Sequence, residues 1–282
     1  MRIKEIKAKS VITKSGLPDA DFVLNPYIGC QHGCIYCYAD FMRKFTGHDL
    51  EEWGSFVDVK INAPEKITPK SIKEGAGILI GSVTDPYQPL EAKYKITRRC
   101  IEKLLEFQPR LEILTKSSLI LRDLDLLKQF KDLKVGISLG VLDEILSRKL
   151  EPYAPSPKIR LETLRRLNKE GIRTYLFVSP IFPEITDYEE LISLSRDYID
   201  EVLFENLNIR ANNRKKIFEF LREKKPELIP LYEKLQKKDS FYWNNLEKRI
   251  AEYCERHKIP FRIYFHHETK KKNKQRNNRL YM

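Results

Sequence analysis

Residues 25–39 read Asn25-Pro-Tyr-Ile-Gly-Cys-Gln-His-Gly-Cys-Ile-Tyr-Cys-Tyr-Ala39 and place three cysteines within eight positions. Cys30, Cys34 and Cys37 have the spacing C-x3-C-x2-C, directly after an apolar segment, residues 22–28, that predicts a first strand. A loop of this length can turn three thiolates toward one centre, and the glycines before the first two cysteines permit a tight path or positive φ. Three ligands leave one coordination position for a small chelating molecule, as a reactive metal centre requires.

Zinc is the alternative occupant of this loop. His32 could complete a Cys3His site, although it lies two residues from both Cys30 and Cys34 and would crowd a tetrahedron. Cys100 and Cys254 could supply a fourth ligand, but both fall within apolar helical patterns and are more simply explained as core thiols. Disulfides between such near neighbours would be strained, so the cluster indicates a metal or redox site in a reducing compartment.

A strand and helix alternation follows the cysteines. Further strands are predicted at residues 77–83, 111–115, 133–139, 172–178 and 201–205, and the helices between them at 96–105, 121–130, 157–169 and 188–196. Short apolar strands separated by amphipathic helices are typical of parallel strands covered by helices. Six such units favour an α/β partial or open barrel over a closed eight-unit barrel, with a doubly wound sheet as the alternative. Ligands are then expected at the carboxyl ends of the strands.

The chain divides into four predicted parts. They are an N-terminal arm (1–19), the barrel (20–210), a C-terminal extension with a helix at 243–257 and a strand at 261–265 (211–267), and a basic tail (268–282). The formal net charge is +12, of which +5 falls on the tail, so the basicity extends over the whole chain. This charge fits a polyanionic partner such as nucleic acid, although lysine- and glutamate-rich surfaces are also typical of heat-adapted proteins.

No targeting or membrane signal is expected in this sequence. No apolar run approaches the ~18 residues that a membrane span needs. The first residues are charged throughout and carry no apolar stretch or cleavage site, so nothing marks the chain for secretion. We therefore expect a cytoplasmic protein with no membrane partner.

The cysteine segment closely resembles the radical S-adenosylmethionine (SAM) superfamily, in which a C-x3-C-x-aromatic-C loop follows the first strand of a partial parallel (β/α)6 barrel. The resemblance implies that Cys30, Cys34 and Cys37 bind a [4Fe-4S] cluster whose fourth iron takes the amino and carboxylate groups of SAM. An electron, supplied by a reductant protein, would then cleave SAM to a 5′-deoxyadenosyl radical that abstracts hydrogen from a substrate. Tyr36 would pack near the adenine; its structural alternative is a core aromatic.

A narrower resemblance covers roughly residues 20 to 210. Besides the cysteine segment it rests on Thr84-Asp-Pro-Tyr-Gln-Pro-Leu-Glu91, Thr115-Lys-Ser117 and Glu151-Pro-Tyr-Ala-Pro-Ser-Pro-Lys-Ile-Arg160-Leu161. These segments are similar to the group related to spore photoproduct lyase, also labelled DNA repair photolyase-like. The resemblance and the basic surface and tail together imply a nucleic-acid substrate. The alternatives are a radical SAM enzyme acting on a peptide or protein, and a non-catalytic zinc and nucleic-acid-binding module.

The resemblance also implies which polar residues at the strand ends bind SAM. The candidates are Ser82, Thr84 and Asp85 for the methionyl amino group, Lys116 for its carboxylate, Ser138 for a ribose hydroxyl, and Asn206 for the adenine. Two of these candidates have structural alternatives: Asp85 would merely cap a turn, and Lys116 would be solvated. Glu151 and Arg160, which belong to the last matching segment, are expected to form a structural ion pair. Spore photoproduct lyase has a hydrogen-donating cysteine where this sequence has Gly81-Ser-Val83, so we do not expect spore photoproduct repair.

Overall fold

The computed structural model describes residues 1–72, 75–236 and 240–265, so the predicted basic tail lies outside the described residues. The strands are β1 (Arg2–Ile6), β2 (Ile12–Lys14), β3 (Phe22–Leu24), β4 (Tyr27–Ile28), β5 (Phe56–Lys60), β6 (Gly77–Ile80), β7 (Arg110–Thr115), β8 (Leu133–Ser138), β9 (Arg173–Ile181), β10 (Glu201–Asn206) and β11 (Phe261–Tyr264). The α-helices are α1 (Arg43–Thr46), α2 (Glu91–Tyr94), α3 (Ile96–Leu104), α4 (Leu124–Leu127), α5 (Glu144–Leu150), α6 (Pro157–Lys169), α7 (Tyr188–Ser195), α8 (Arg214–Lys224), α9 (Ile229–Gln236) and α10 (Ser240–Arg256).

The main sheet has eight strands in the order β11-β10-β9-β8-β7-β6-β3-β2. The six predicted barrel strands are β3, β6, β7, β8, β9 and β10, and each pairs in parallel with its neighbour. β2 is added antiparallel at one edge and β11 parallel at the other, so the sheet of the described chain stays open. The partial parallel barrel predicted from the sequence is confirmed.

The covering helices follow from local sequence signals. α6 begins where the Ser156 side chain accepts a hydrogen bond from the backbone N–H of Ile159, with Pro157 in the first turn. The helices predicted at 96–105, 157–169 and 188–196 are confirmed. The helix predicted over 121–130 is confirmed only in part, because a 3₁₀ helix ends at Asp123 and the α-helix that follows, α4, has a single turn. The buried Asp123 carboxylate pairs with Arg98 and Arg122 at this break.

A second sheet, β1-β5-β4, was not predicted from the sequence. The strand predicted over residues 22–28 is divided between the two sheets, since β3 pairs with β6 and β4 pairs with β5. Asn25 and Pro26 separate them, and a proline lacks the N–H that would continue a strand ladder. The break turns the chain out of the main sheet immediately before the first cysteine.

The C-terminal extension returns to the main sheet. Its predicted helix is α10 and its predicted strand is β11, which pairs in parallel with β10. α8 buries Ile217, Phe218, Phe220 and Leu221 on one side. No helix in the described part of the chain is both long and apolar enough to span a membrane.

A substitution at Gly136 in β8 would test how closely the side chains of the main sheet are packed. A Cβ atom there would overlap the ring of Tyr175, whose hydroxyl donates a 2.6 Å hydrogen bond to Glu112. We expect Gly136→Ala to lower the free energy of unfolding by about 1–3 kcal/mol, because Tyr175 is buried and must move. Urea unfolding curves measure this. Gly16→Ala is the control, since no atom lies within 4 Å of its Cβ position; equal midpoints for the two variants would contradict the prediction.

Candidate functional site

Residues 29–37, here called the cysteine loop, lie against segments that follow three strands of the main sheet. The Thr84 hydroxyl, after β6, donates to the carbonyl of Gly29 at 2.5 Å. The N–H of Ile35 donates to the carbonyl of Leu150, which follows β8, at 3.0 Å. The amide of Asn213, after β10, donates to the carbonyl of Tyr36 at 2.9 Å. The loop therefore covers the carboxyl ends of the parallel strands, where ligands bind in such sheets.

Two glycines let the cysteine loop pack closely against β5 and the segment before it. Gly29 has φ +84°, and a Cβ there would lie 2.5 Å from the carbonyl oxygen of Phe56. Gly33 has φ +61°, and its Cα is 2.7 Å from where a Cβ on Gly54 would stand. Both positions require glycine for conformation or space, which confirms the expected tight path of the loop.

All three loop cysteines are free thiols. Burial raises the pKa of Cys30 to about 12 and that of Cys37 to about 11, and it raises the pKa of Cys34 well above its ordinary value. The neighbouring thiols add to the rise in pKa at Cys30 and Cys34. Lys116 opposes the rise at Cys34 and Cys37.

This donor set suits an iron–sulfur cluster. Buried thiols remain protonated and unreactive until a bound cation compensates the thiolate charge. Each thiolate of an iron–sulfur cube binds a different iron, so the sulfurs need not converge on one point. In the described ranges no three Cys, His, Asp or Glu side chains are arranged to hold a single metal ion.

His32 pairs with Asp85, which explains why it is buried inside the cysteine loop. Its Nδ1 lies 3.3 Å from an Asp85 carboxylate oxygen, and the imidazole is almost fully buried. This partner does not follow from the sequence, because the two residues belong to different segments. The pair joins the cysteine loop to the turn after β6.

Asp85 also joins the ends of β6 and β7. It accepts hydrogen bonds from the Thr115 hydroxyl at 2.6 Å and from the backbone N–H of Lys116 at 2.8 Å. Burial alone would raise the pKa of Asp85, but His32 and these hydrogen bonds outweigh burial and lower it to about 2. Asp85 also accepts a hydrogen bond from the backbone N–H of Tyr87 and so caps its own turn. This capping role is the structural alternative that the sequence analysis gave for Asp85.

Ser82 and Thr84 lie beside the cysteine loop, as predicted from their position after the strand. The Ser82 hydroxyl accepts a 2.9 Å hydrogen bond from Asn25, and its carbonyl accepts one from the Tyr38 hydroxyl. Thr84, besides its bond to the loop, accepts a 3.1 Å hydrogen bond from Gln88. Their roles toward SAM stay predictions.

Lys116, Tyr36 and Ser138 are brought together around Glu151. The Lys116 ammonium donates to the Ser138 hydroxyl at 2.7 Å and lies 3.6 Å from the Glu151 carboxylate. It also stands 6.0 Å from the centroid of the Tyr36 ring. Tyr36 donates its hydroxyl to Glu151 and packs edge-to-face against Phe182 at 5.3 Å. Lys116 is therefore a partly buried cation in a polar cluster rather than a solvated side chain.

Glu151 and Arg160 form the structural ion pair that was expected from the sequence. The Arg160 guanidinium is fully buried and donates to Glu151, to the Ser138 carbonyl at 3.1 Å and to the Pro155 carbonyl at 2.8 Å. Burial raises the pKa of Glu151, but Arg160 and Lys116 together lower it to about 2. The carboxylate is thus ionised at neutral pH and holds the loop after α5 against α6.

Residues 24–195 match the Radical SAM superfamily. The chain belongs to this superfamily. A protein of Methanocaldococcus jannaschii is 39% identical over 241 residues, which cover 86% of this chain and 89% of that one. A radical SAM Nalpha-GlyT isomerase of Pseudomonas phage M6 is 28% identical over 67% of this chain and 37% of its own length. Among solved structures, spore photoproduct lyase complexed with dinucleoside spore photoproduct superposes with a TM-score of 0.65 at 16% identity, covering 93% of this chain and 82% of that chain.

Two asparagines, one at the end of β10 and one before α8, lie on this side of the site of the radical SAM protein. Asn206 is buried at the end of β10, opposite Ile181 of β9, so it lies at the expected sheet edge and its role toward adenine stays a prediction. Asn213 was not predicted; it bonds both the Tyr36 carbonyl and the Asn208 carbonyl. No sequence signal marks this contact, because it links residues 177 positions apart.

Proposed function

We propose that this radical SAM protein reductively cleaves S-adenosylmethionine at a [4Fe-4S] cluster held by Cys30, Cys34 and Cys37. The observation that carries the proposal is the set of three free thiols, one buried and two half-buried, on a loop above the carboxyl ends of the parallel strands. When bound, the cluster would supply the electron that breaks a sulfonium bond of SAM and leaves a 5′-deoxyadenosyl radical for hydrogen abstraction. A reductant protein would deliver that electron.

The charge balance beside the cysteine loop supports an anionic ligand group there. Among the described residues, Glu151 is the carboxylate that pairs with both the Lys116 and the Arg160 side chains, so these three side chains together carry a net charge of +1. A carboxylate placed near the Lys116 ammonium would compensate that charge at low dielectric. This supports the role of Lys116 as the group that binds the methionyl carboxylate, with Ser138 fixing the ammonium.

Nucleic acid is the substrate class that we propose. The net charge of +12 favours a polyanion, and the lyase whose fold this chain resembles binds a dinucleoside photoproduct. Spore photoproduct repair itself is not proposed. The two cysteines outside the loop, Cys100 in α3 and Cys254 in α10, are fully buried in the helical layers, so neither supports a hydrogen-donating role at the loop. We also propose a cytoplasmic location, because all five cysteines are free thiols and the cytoplasm is reducing.

Anaerobic reconstitution tests this proposal. We expect about four irons per chain and, after reduction with SAM, formation of 5′-deoxyadenosine. Deuterated DNA, RNA and peptide pools are then compared, and deuterium is expected in the 5′-deoxyadenosine from a nucleic-acid pool. Bound zinc without 5′-deoxyadenosine would reject the enzyme, whereas deuterium from the peptide pool alone would reject only the substrate class.

A further inference from the structure

A row of aromatic side chains leads outward from the cysteine loop. The ring of Tyr38 stacks on Phe41 with centroids 6.4 Å apart, and Phe41 meets Phe45 edge-to-face at 6.2 Å. Phe45 is 77% exposed and Tyr38 is 38% exposed, although core packing would normally bury such rings. We call Tyr38, Phe41 and Phe45 the aromatic row. It begins at the residue next to Cys37.

Two cations flank the aromatic row. Lys44 and Arg210 are exposed, and neither forms an ion pair with any residue in the part of the chain that the structure describes. Arg43 is already paired with Asp40, and Asp49 adds one exposed acidic group. These residues and Phe41 line a cavity of about 220 Å³. That volume is below the ~300–1,000 Å³ of pockets for drug-sized ligands, so it suits one small group such as a phosphate or a base edge.

We infer that the aromatic row, with Lys44 and Arg210, binds an unpaired stretch of nucleic acid and leads its strand to the cysteine loop. The inference rests on the proposed function and adds the surface and the state of the substrate. Bases stack on exposed rings regardless of their sequence, while cations beside the rings neutralise the backbone phosphates. Tyr38 ties this surface to the site, because its hydroxyl bonds the Ser82 carbonyl.

The geometry favours a single strand over a duplex. The exposed rings of Tyr38, on the 3₁₀ helix before α1, and of Phe45, on α1, can stack only on bases that are already unstacked. A duplex shields its base faces and would present only phosphates to Lys44 and Arg210. A single strand therefore uses both the rings and the cations, whereas a duplex uses the cations alone.

Fluorescence anisotropy of the reconstituted full chain tests the inference. The probes are fluorescein-labelled oligothymidylate and oligouridylate of about 12 nucleotides, and a duplex of the same length. Phe45→Ala should weaken single-strand binding about 5- to 100-fold with an unchanged salt slope, and should leave duplex binding unaltered. Lys44→Ala with Arg210→Ala should reduce the salt slope of single-strand binding by about 1.4, because each cation neutralises one phosphate.

Matched controls separate these effects from general surface changes. Leu50→Ala removes an exposed apolar side chain from the same segment, and Lys158→Ala removes an exposed cation from α6; both should bind like the wild type. Circular dichroism and urea unfolding verify that every variant folds. Wild-type affinity in Phe45→Ala and in the double variant would overturn the inference but leave the substrate class intact. No binding of any oligonucleotide by the wild type would overturn both.

Discussion

Cys34→Ala is expected to abolish both the iron–sulfur absorbance of the reconstituted protein and its formation of 5′-deoxyadenosine. Loss of one of three thiolates leaves two protein ligands, which cannot hold the cube while keeping one iron open for SAM. Cys34 is the most informative of the three, because the Lys116 and Glu151 charges both act on its thiol. Iron content, the visible spectrum and product chromatography under anaerobic conditions measure the loss.

Cys254→Ala is the matched control for this variant. Cys254 is also a free thiol, but it is fully buried and lies in α10 within the core. Its replacement should leave iron content and product formation unchanged, at a modest loss of stability from the small cavity. Retention of the full spectrum by Cys34→Ala would remove Cys34 from the ligand set. Loss of iron in both variants would instead indicate that the fold, not ligation, had failed.

The barrel strands could be predicted because they are short and predominantly apolar, and several are nearly continuous apolar runs. β6, for example, is buried at all four positions, and a strand covered on both faces needs no polar alternation. The cysteine loop was recognisable for a similar local reason, since its spacing and its two glycines lie within one short segment. Local chemistry, when it is complete within about ten residues, is visible in the sequence.

The three-stranded sheet and the side-chain contacts that hold the cysteine loop could not be predicted from the sequence. β1 pairs with β5 across more than fifty residues, and four of the five residues of β1 are exposed, so no apolar pattern marks it. His32 and Asp85 form a pair, and Asn213 holds the cysteine loop, only because separate strand ends meet at one edge of the sheet. Such contacts depend on the assembled topology rather than on any segment.

The ion pair between Glu151 and Arg160 connects the stability of this fold to its site. Glu151→Gln is expected to lower the free energy of unfolding at neutral pH by about 3–5 kcal/mol, because the fully buried Arg160 would keep its charge without a counter-charge. Urea unfolding of the iron-free protein measures this. Adding Arg160→Met should recover part of the loss, since the double variant removes both charges.

The same carboxylate gives this prediction a pH signature. The pKa of Glu151 is lowered from 4.5 in the unfolded chain to about 2 in the folded state. Between pH 4.5 and pH 2 the unfolded chain is therefore protonated at Glu151 while the folded protein is still ionised there. The stabilisation by Glu151, about 3 kcal/mol, is therefore complete above about pH 4.5 and lost as pH falls toward 2. The difference in unfolding free energy between the wild type and Glu151→Gln should narrow over that pH range.

Glu162→Gln is the control, because the ion pair between Glu162 and Arg165 is exposed on α6 and should contribute little to stability. A difference that stays constant down to about pH 3 would show that Glu151 acts through shape and hydrogen bonding rather than through its charge.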